Sequence, residues 1–129
     1  MKLTSEIIKK LPKAELHCHL DGSIRMDTIL NLASEQSIKL PSDNKKILES
    51  ILMITDNIGT LEEYLKKFDI ILSILQIPDA LTIIAYELAM DCWEDGVRYL
   101  EVRYCPELHT KNGMTLSDTI EAVKSGLKQ

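Results

Sequence analysis

Two short stretches with the pattern of β-strands lie far apart in this chain, and that separation constrains the fold more than any other feature. KAELHCHL covers residues 13–20 and VRYLEVRYC covers residues 97–105. Helical patterns fill much of the sequence between them. Strands that are joined by long helical crossovers pair in parallel, whereas antiparallel neighbours need only a short turn. The sequence therefore predicts an α/β fold with two parallel strands and several long helices.

Capping residues and helix breakers divide the remainder of the chain into helices. Thr60 and Glu63 form a T-x-x-E capping box ahead of an apolar 3.6-residue period that continues to Leu75. Pro78 suits the first turn of the next helix, and Gly96 follows its end. The other predicted helices cover residues 5–11, 26–36 and 44–54, and a last helix runs from the Thr115 and Asp118 cap through Lys128.

The helix over residues 78–94 is predicted to be largely buried. Its acidic residues form one narrow solvent stripe, and most of the other positions are apolar. The stripe and its continuation consist of Glu87, Asp91, Glu94 and Asp95.

These elements are too few for a finished α/β domain. Two parallel strands cannot close a sheet, and the chain ends at the point where the next strand is due. We interpret residues 1–129 as the N-terminal segment of one larger domain whose remaining strands are absent from this chain. Unpaired strand edges attract other chains. We therefore expect the segment to self-associate or to need the C-terminal remainder of its domain.

The composition excludes several classes of function. The chain is 45% hydrophobic and 27% charged, which is typical of a soluble globular protein. The net charge is −5 with scattered basic residues, so no nucleic-acid partner is predicted. No apolar run approaches the ~20 residues of a membrane span. Three cysteines without a framework spacing indicate free thiols and a cytoplasmic location.

The first strand carries the residues with the clearest chemistry. Glu15, His17, His19 and Asp21 alternate with apolar residues, so all four point to one side. Two imidazoles at positions i and i+2 can converge on one metal ion, and parallel α/β folds build their sites at the carboxyl ends of strands. We interpret His17 and His19 as metal ligands. His109, in the loop after the second strand, is interpreted as a solvated loop residue.

Three segments of the sequence resemble the adenosine deaminase family, whose members are metal-dependent hydrolases built on a (β/α)₈ barrel of the TIM type. They are LPKAELHCHLDGSI, EEYLKKFD and IAYELAMDCWEDGVRYLEVRYCP, and with their spacing they cover essentially all 129 residues. The resemblance implies that the chain is the N-terminal portion of such a barrel and is incomplete as it stands.

The resemblance also implies roles for individual residues. His17 and His19 would bind one Zn²⁺ ion, and His19 and Asp21 would contact the substrate, with Asp21 facing the ribose of a purine nucleoside. A helical wall over the substrate would consist of Leu61, Tyr64, Leu65 and Phe68, although a stripe of this spacing is equally typical of a core. No catalytic residue is expected in this chain, because the acid–base glutamate and histidine come from later strands in the family.

Two further expectations concern the interior of the barrel. Glu15 and Arg103 should both point inward from their strands, and buried charges persist only when they are paired. We predict an ion pair between them, with Glu101 as a further partner. Cys105 is either at the mouth of the barrel or a small half-buried residue, and Cys18 should pack among helices.

The predicted activity follows from the resemblance. In the complete enzyme, a zinc-activated water would deaminate adenosine and 2′-deoxyadenosine, giving inosine in the first case and releasing ammonia. The isolated chain would be inactive. Two alternatives stay open: a deaminase of free adenine or another aminopurine, and a non-catalytic metal-binding or interaction fragment. The zinc site of cytidine deaminases is excluded because its H-x-E and P-C-x-x-C motifs are missing.

Overall fold

The computed structural model describes residues 2–53 and 60–129, without the side chains of Leu61, Glu63 and Tyr64. Within those ranges it contains six α-helices, two strands and one 3₁₀ turn. In chain order they are α1 (Ser5–Lys10), β1 (Lys13–His19), α2 (Met26–Glu35), α3 (Lys45–Leu52), α4 (Leu61–Ile74), α5 (Pro78–Glu94), β2 (Val97–Arg103), the 3₁₀ turn (Pro106–His109) and α6 (Leu116–Leu127).

The two strands pair in parallel, as the sequence predicts. Glu15 lies opposite Leu100, and His19 lies opposite Arg103 at the carboxyl end. The backbone N–H of Leu20 continues the ladder by donating to the Arg103 carbonyl at 2.9 Å. The helices α2 to α5 connect the two strands. Because the strands are parallel, their carboxyl ends lie at the same edge of the sheet.

Local signals determine several helix ends. The α5 helix begins at Pro78 and ends at Glu94, which are the predicted bounds. Gly96 then adopts a φ of +87°, in the left-handed region that favours glycine. The Thr115 and Asp118 capping box of α6 is present, with the Asp118 N–H donating to Thr115 Oγ1 at 3.1 Å. The predicted box of Thr60 involves the Glu63 side chain, which lies outside the described residues.

The core lies between the helices and one side of the sheet. The contact between α5 and α6 is especially close: a Cβ added to Gly126 would lie 2.2 Å from the carbonyl oxygen of Thr82. The largest of the fully buried apolar side chains come from five elements or their ends, and are Leu20, Ile29, Leu32, Leu48, Ile74, Leu75, Leu81 and Ile84.

The predicted solvent stripe of α5 is exposed except at Glu87, but the rest of the helix is less buried than predicted, because Ile83, Tyr86 and Trp93 are 40%, 38% and 58% exposed. Asp91, Glu94 and Asp95 are exposed, but only 18% of the Glu87 side chain is exposed. The Glu87 carboxylate accepts a hydrogen bond from Thr28 Oγ1 at 2.6 Å, because the first turn of α2 packs over this part of α5. The stripe is therefore partly covered by a helix that the sequence pattern did not place there.

Among the described residues, no single helix is long and apolar enough to cross a membrane. Leu65–Ile74 and Pro78–Glu94, which are bent by 113° relative to each other, satisfy the criteria together by length and composition only.

Candidate metal and substrate site

The two histidines of β1 lie side by side. The Nε2 atoms of His17 and His19 are 3.1 Å apart, and the ring centroids are separated by 5.1 Å. Both residues are exposed on the same side of the strand, as the alternating pattern predicts. The backbone N–H of His17 donates to the Glu15 carboxylate at 3.0 Å, so Glu15 helps to hold this part of the strand.

The spacing of these nitrogens suits zinc. With zinc–nitrogen distances of about 2.0–2.1 Å, two nitrogens 3.1 Å apart subtend an angle of roughly 95–102° at the ion. That angle is close to tetrahedral. No group of three or more His, Cys, Asp or Glu residues that could hold a metal occurs within residues 2–53 and 60–129. The described part of the chain therefore fits one half of a zinc site and not the whole of it.

Asp21 lies just beyond the histidine pair, and it is buried. The residue is 8% exposed, and its Oδ1 is 4.0 Å from His19 Nδ1, which is too far for a hydrogen bond. The turn that carries Asp21 is closed by Ser23, whose hydroxyl donates to the His19 carbonyl at 2.6 Å. This tight closure places the carboxylate near the second zinc-ligand candidate.

A cavity of about 450 Å³ lies beside Asp21, and its size is suitable for a small organic molecule. Neither His17 nor His19 lines it. The lining is mostly apolar, with a few charged groups from β1–α2, α3 and α4, and includes Asp21, Gly22, Met26, Ile29, Glu49, Lys67, Phe68 and Ile71.

The predicted helical wall is only partly described. Phe68 is half-buried and lines the cavity, whereas Leu65 is 52% exposed and does not. The side chains of Leu61 and Tyr64 lie outside the described residues. The same stripe reaches the core farther along the chain, where Leu72 is buried.

The interpretation of His109 as a solvated loop residue is wrong. His109 is fully buried, and its Nδ1 lies 3.2 Å from the carbonyl oxygen of Leu75. Its ring centroid is 6.0 Å from that of Tyr104. Burial lowers the pKa of His109 below its ordinary value, against the raising effects of the Leu75 carbonyl and Asp21. The error arose because the 3₁₀ turn packs against the end of α4, a contact that the loop sequence alone does not reveal.

The predicted ion pair between Glu15 and Arg103 is also wrong. Arg103 lies 3.8 Å from Glu101, the further partner that was predicted, and 52% of its side chain is exposed. The strand register explains the difference, because it places Arg103 opposite His19 and Glu15 opposite Leu100. The two charges are therefore at different levels of the sheet.

The cysteines agree with the sequence interpretation where it was specific. Cys18, Cys92 and Cys105 are all free. Cys18 is half-buried and packs against the core, on the side of β1 away from the histidines, as predicted. Cys105 is exposed just beyond the end of β2, consistent with a position at the edge of the sheet where the strands end.

The fold of this chain is similar to parts of several solved deaminase structures. The chain is similar to an adenine deaminase from Arthrobacter aurescens, with 27% identity, a TM-score of 0.78, and coverage of 92% of this chain and 35% of that one. It is also similar to the N6-mAMP deaminase of Arabidopsis, with 35% identity, a TM-score of 0.75, and coverage of 96% and 36%. The described strands and helices are thus part of an amidohydrolase-type (β/α)₈ barrel.

Sequence comparisons narrow the class to a family. The family model for adenosine deaminase matches residues 12–129, so the chain belongs to the adenosine deaminase family. Adenosine deaminase from Clostridium botulinum (strain Hall) is 49% identical over 121 residues, which are 94% of this chain and 36% of the relative. The chain therefore spans about a third of the length of the curated enzymes that it matches.

Proposed function

We propose that this chain supplies half of the zinc site and part of the substrate site of an adenosine deaminase. The complete enzyme would hydrolyse adenosine and 2′-deoxyadenosine to inosine and 2′-deoxyinosine, with release of ammonia. The convergence of His17 and His19 Nε2 at 3.1 Å, at the carboxyl end of β1, carries the proposal. When zinc is bound at such a site, it lowers the pKa of a water molecule and so provides a nucleophile at neutral pH.

The residues of this chain have three tasks in that reaction. His17 and His19 offer nitrogen lone pairs to the metal, and in this state both rings must be neutral. Asp21 accepts a hydrogen bond from a sugar hydroxyl. Phe68 contributes apolar surface to the cavity, where it packs against the purine and excludes water.

Adenosine is favoured over the other substrates by two observations. The similarity to adenosine deaminase, at 49% identity, exceeds that to the adenine deaminase and the N6-mAMP deaminase, at 27% and 35%. Asp21 is a short side chain next to Gly22 at the cavity, which leaves room for a sugar. Activity on free adenine, and metal binding without catalysis, are the alternative outcomes of the experiment below.

The isolated chain is expected to be inactive and to associate with itself or with the rest of a barrel. Leu16 and Tyr99, one on each strand, are 58% and 56% exposed. The only strand pairing among the described residues is between β1 and β2, so each strand has a further edge without a strand partner. Such edges and apolar surfaces promote association between chains.

A chimeric enzyme tests the proposal. Residues 1–129 would replace the matching third of the Clostridium botulinum enzyme, and ammonia release would be measured with adenosine, adenine and N6-mAMP. We expect hydrolysis of adenosine, one zinc ion per chimera by elemental analysis, and no turnover by the 129-residue chain alone. A preference for adenine would favour the first alternative. A folded, zinc-loaded but inactive chimera would favour the second.

A further inference from the structure

Two buried side-chain atoms have no hydrogen-bond partner among the described residues: Asp21 Oδ1 and His109 Nε2. Asp21 is 8% exposed and His109 is fully buried. Buried polar atoms in folded proteins almost always have a partner, because an unpaired one loses its bonds to water without replacement. Both atoms therefore require an explanation, and one of them belongs to the candidate substrate site.

The two residues occupy neighbouring positions in the fold. Asp21 follows the carboxyl end of β1, and His109 ends the 3₁₀ turn that follows β2. The strands are adjacent and parallel, with His19 opposite Arg103, so both residues lie beyond the same edge of the sheet. The charge of Asp21 also acts on the His109 ring, although burial is the largest influence on the pKa of that ring and lowers it.

The hydrogen-bonding capacity of each atom can be deduced. A carbonyl oxygen only accepts, so the Nδ1 of His109, 3.2 Å from the Leu75 oxygen, must carry the hydrogen. Burial favours the neutral ring, and the Nε2 of a neutral ring with a protonated Nδ1 is an acceptor. Asp21 as a carboxylate is also an acceptor only. Two acceptors cannot bond to each other, but one water molecule between them can donate a hydrogen to each.

We infer that His109 positions Asp21 through one buried water molecule, which donates one hydrogen to His109 Nε2 and the other to Asp21 Oδ1. This bridge holds the carboxylate by one oxygen and leaves the second oxygen for a sugar hydroxyl. The inference rests on the proposed function for the identity of that hydroxyl. His109 would then act on substrate choice through Asp21, without contacting the substrate.

His109 is itself anchored well enough for this role. The Leu75 carbonyl fixes its Nδ1 side. The neighbouring residue Gln76 is 3% exposed and ties the 3₁₀ turn to the end of α4, since its Nε2 donates to the Leu108 carbonyl at 2.9 Å. Its Oε1 accepts from the Lys111 N–H, also at 2.9 Å. The end of the cavity-lining helix α4 thereby supports the ring that holds Asp21.

Two substitutions of His109 separate positioning from structural support. His109→Asn retains a donor near the position of Nδ1, so it can keep the bond to Leu75, but it has no atom at the position of Nε2. His109→Gln extends an acceptor oxygen to the position of Nε2 and weakens the Leu75 contact. If His109 only supports the fold, the Asn variant should retain more activity than the Gln variant. If His109 positions Asp21, the Gln variant should retain more activity than the Asn variant.

The kinetic part of the experiment uses the chimera with adenosine and adenine. We expect His109→Asn to lower kcat/KM for adenosine about three- to tenfold and to leave adenine almost unchanged, while His109→Gln stays within about twofold of the parent. In the Asp21→Ala background, His109→Asn should have no further effect. Equal losses with both substrates, or a Gln variant as impaired as the Asn variant, would overturn the positioning role.

The structural part uses the chimera, crystallised and solved at a resolution that shows ordered water. The expected result is one water within about 3 Å of both Asp21 Oδ1 and His109 Nε2. Separate partners for the two atoms, or no shared water, would overturn the inference. If Asp21→Ala alone leaves the preference for adenosine unchanged, the sugar contact of the proposed function fails. In that case the crystal structure still tests whether a water molecule links His109 to Asp21.

Discussion

The side of β1 that carries His17 and His19, called the histidine face below, and the contact between α5 and α6 differ in how completely this chain builds them. On the histidine side of β1, His17 and His19 are exposed. At the helical contact, Ala85 is fully buried and Gly126 packs directly against the backbone of Thr82. The packing of α5 on α6 therefore depends on residues that this chain contains. The histidine face presents two candidate metal ligands, and no further residues that could complete a metal site with them occur among the described residues.

The histidines show the same contrast within one residue type. The side chain of His19 is 60% exposed, and its Nε2 faces that of His17. His109 is fully buried, and its Nδ1 is engaged by a backbone carbonyl. The two neighbouring, accessible nitrogens of His17 and His19 can both bind one metal ion. The buried and hydrogen-bonded ring of His109 can instead hold neighbouring residues in place. Position in the fold, and not residue type, separates these two roles.

Substitutions of the two histidines on the histidine face should have the largest effect on activity. In the chimera, His17→Ala or His19→Ala removes one metal nitrogen, and metal activation contributes several kcal/mol. We expect turnover of adenosine to fall by on the order of a thousandfold or more, with loss of most bound zinc. The exposed Lys39→Ala variant is the control. Stoichiometric zinc in the His17→Ala protein would contradict the assignment of this ligand.

The contact between α5 and α6 should be the region where a substitution has the largest effect on stability. In Gly126→Ala the new methyl group would lie 2.2 Å from the Thr82 oxygen and 2.8 Å from the Ala85 Cβ, so α6 must move away from α5. Overpacking of this kind costs about 1–3 kcal/mol, and contact with backbone favours the upper end. Urea unfolding of the chimera measures the loss. Ser125→Ala, at an adjacent exposed position, should remain close to the parent.

Asp21 combines properties of the two regions, because it is buried but also lines the cavity. Hydrogen bonds to a charged group contribute about 1.5–3 kcal/mol. The Asp21→Ala chimera should therefore lose roughly 10- to 150-fold in kcat/KM for adenosine, and far less for adenine, which has no sugar. Steady-state kinetics with both substrates make the measurement. Equal losses would show that Asp21 does not contact the ribose.

The smallest expected effect concerns the pH dependence of stability. Because burial lowers the pKa of His109 in the folded chain, the unfolded chain binds more protons as the pH falls below about 6.5. The contribution of a neutral His109 is thus fully present above that pH and is lost towards the lower folded pKa, at up to about 1.4 kcal/mol per pH unit. The free energy of unfolding, measured with urea between pH 7.5 and 5, should change less steeply with pH for His109→Asn than for the parent. Identical slopes would contradict a buried neutral ring.

Several features could be predicted from the sequence because they depend on residues close together in the chain. The bounds of α5 follow from Pro78 and from the turn at Gly96. The cap of α6 follows from Thr115 and Asp118, three residues apart. The common orientation of the two strand histidines follows from the two-residue period of a strand. Parallel pairing followed from the length of the helical crossover, which leaves no hairpin alternative.

The tertiary structure alone decided the features that depend on distant contacts. His109 is buried by a contact with Leu75, 34 residues away, and Glu87 is covered by Thr28, 59 residues away. Arg103 pairs with Glu101 and not with Glu15 because of the strand register. Periodicity indicates which side of an element is apolar, but it does not specify which part of another element packs there. The common orientation of His17 and His19 could therefore be predicted from a local pattern, and Asp21 and Phe68 were named from the family resemblance. Most of the other residues that line the cavity, and the buried position of His109, became visible only in the packed molecule.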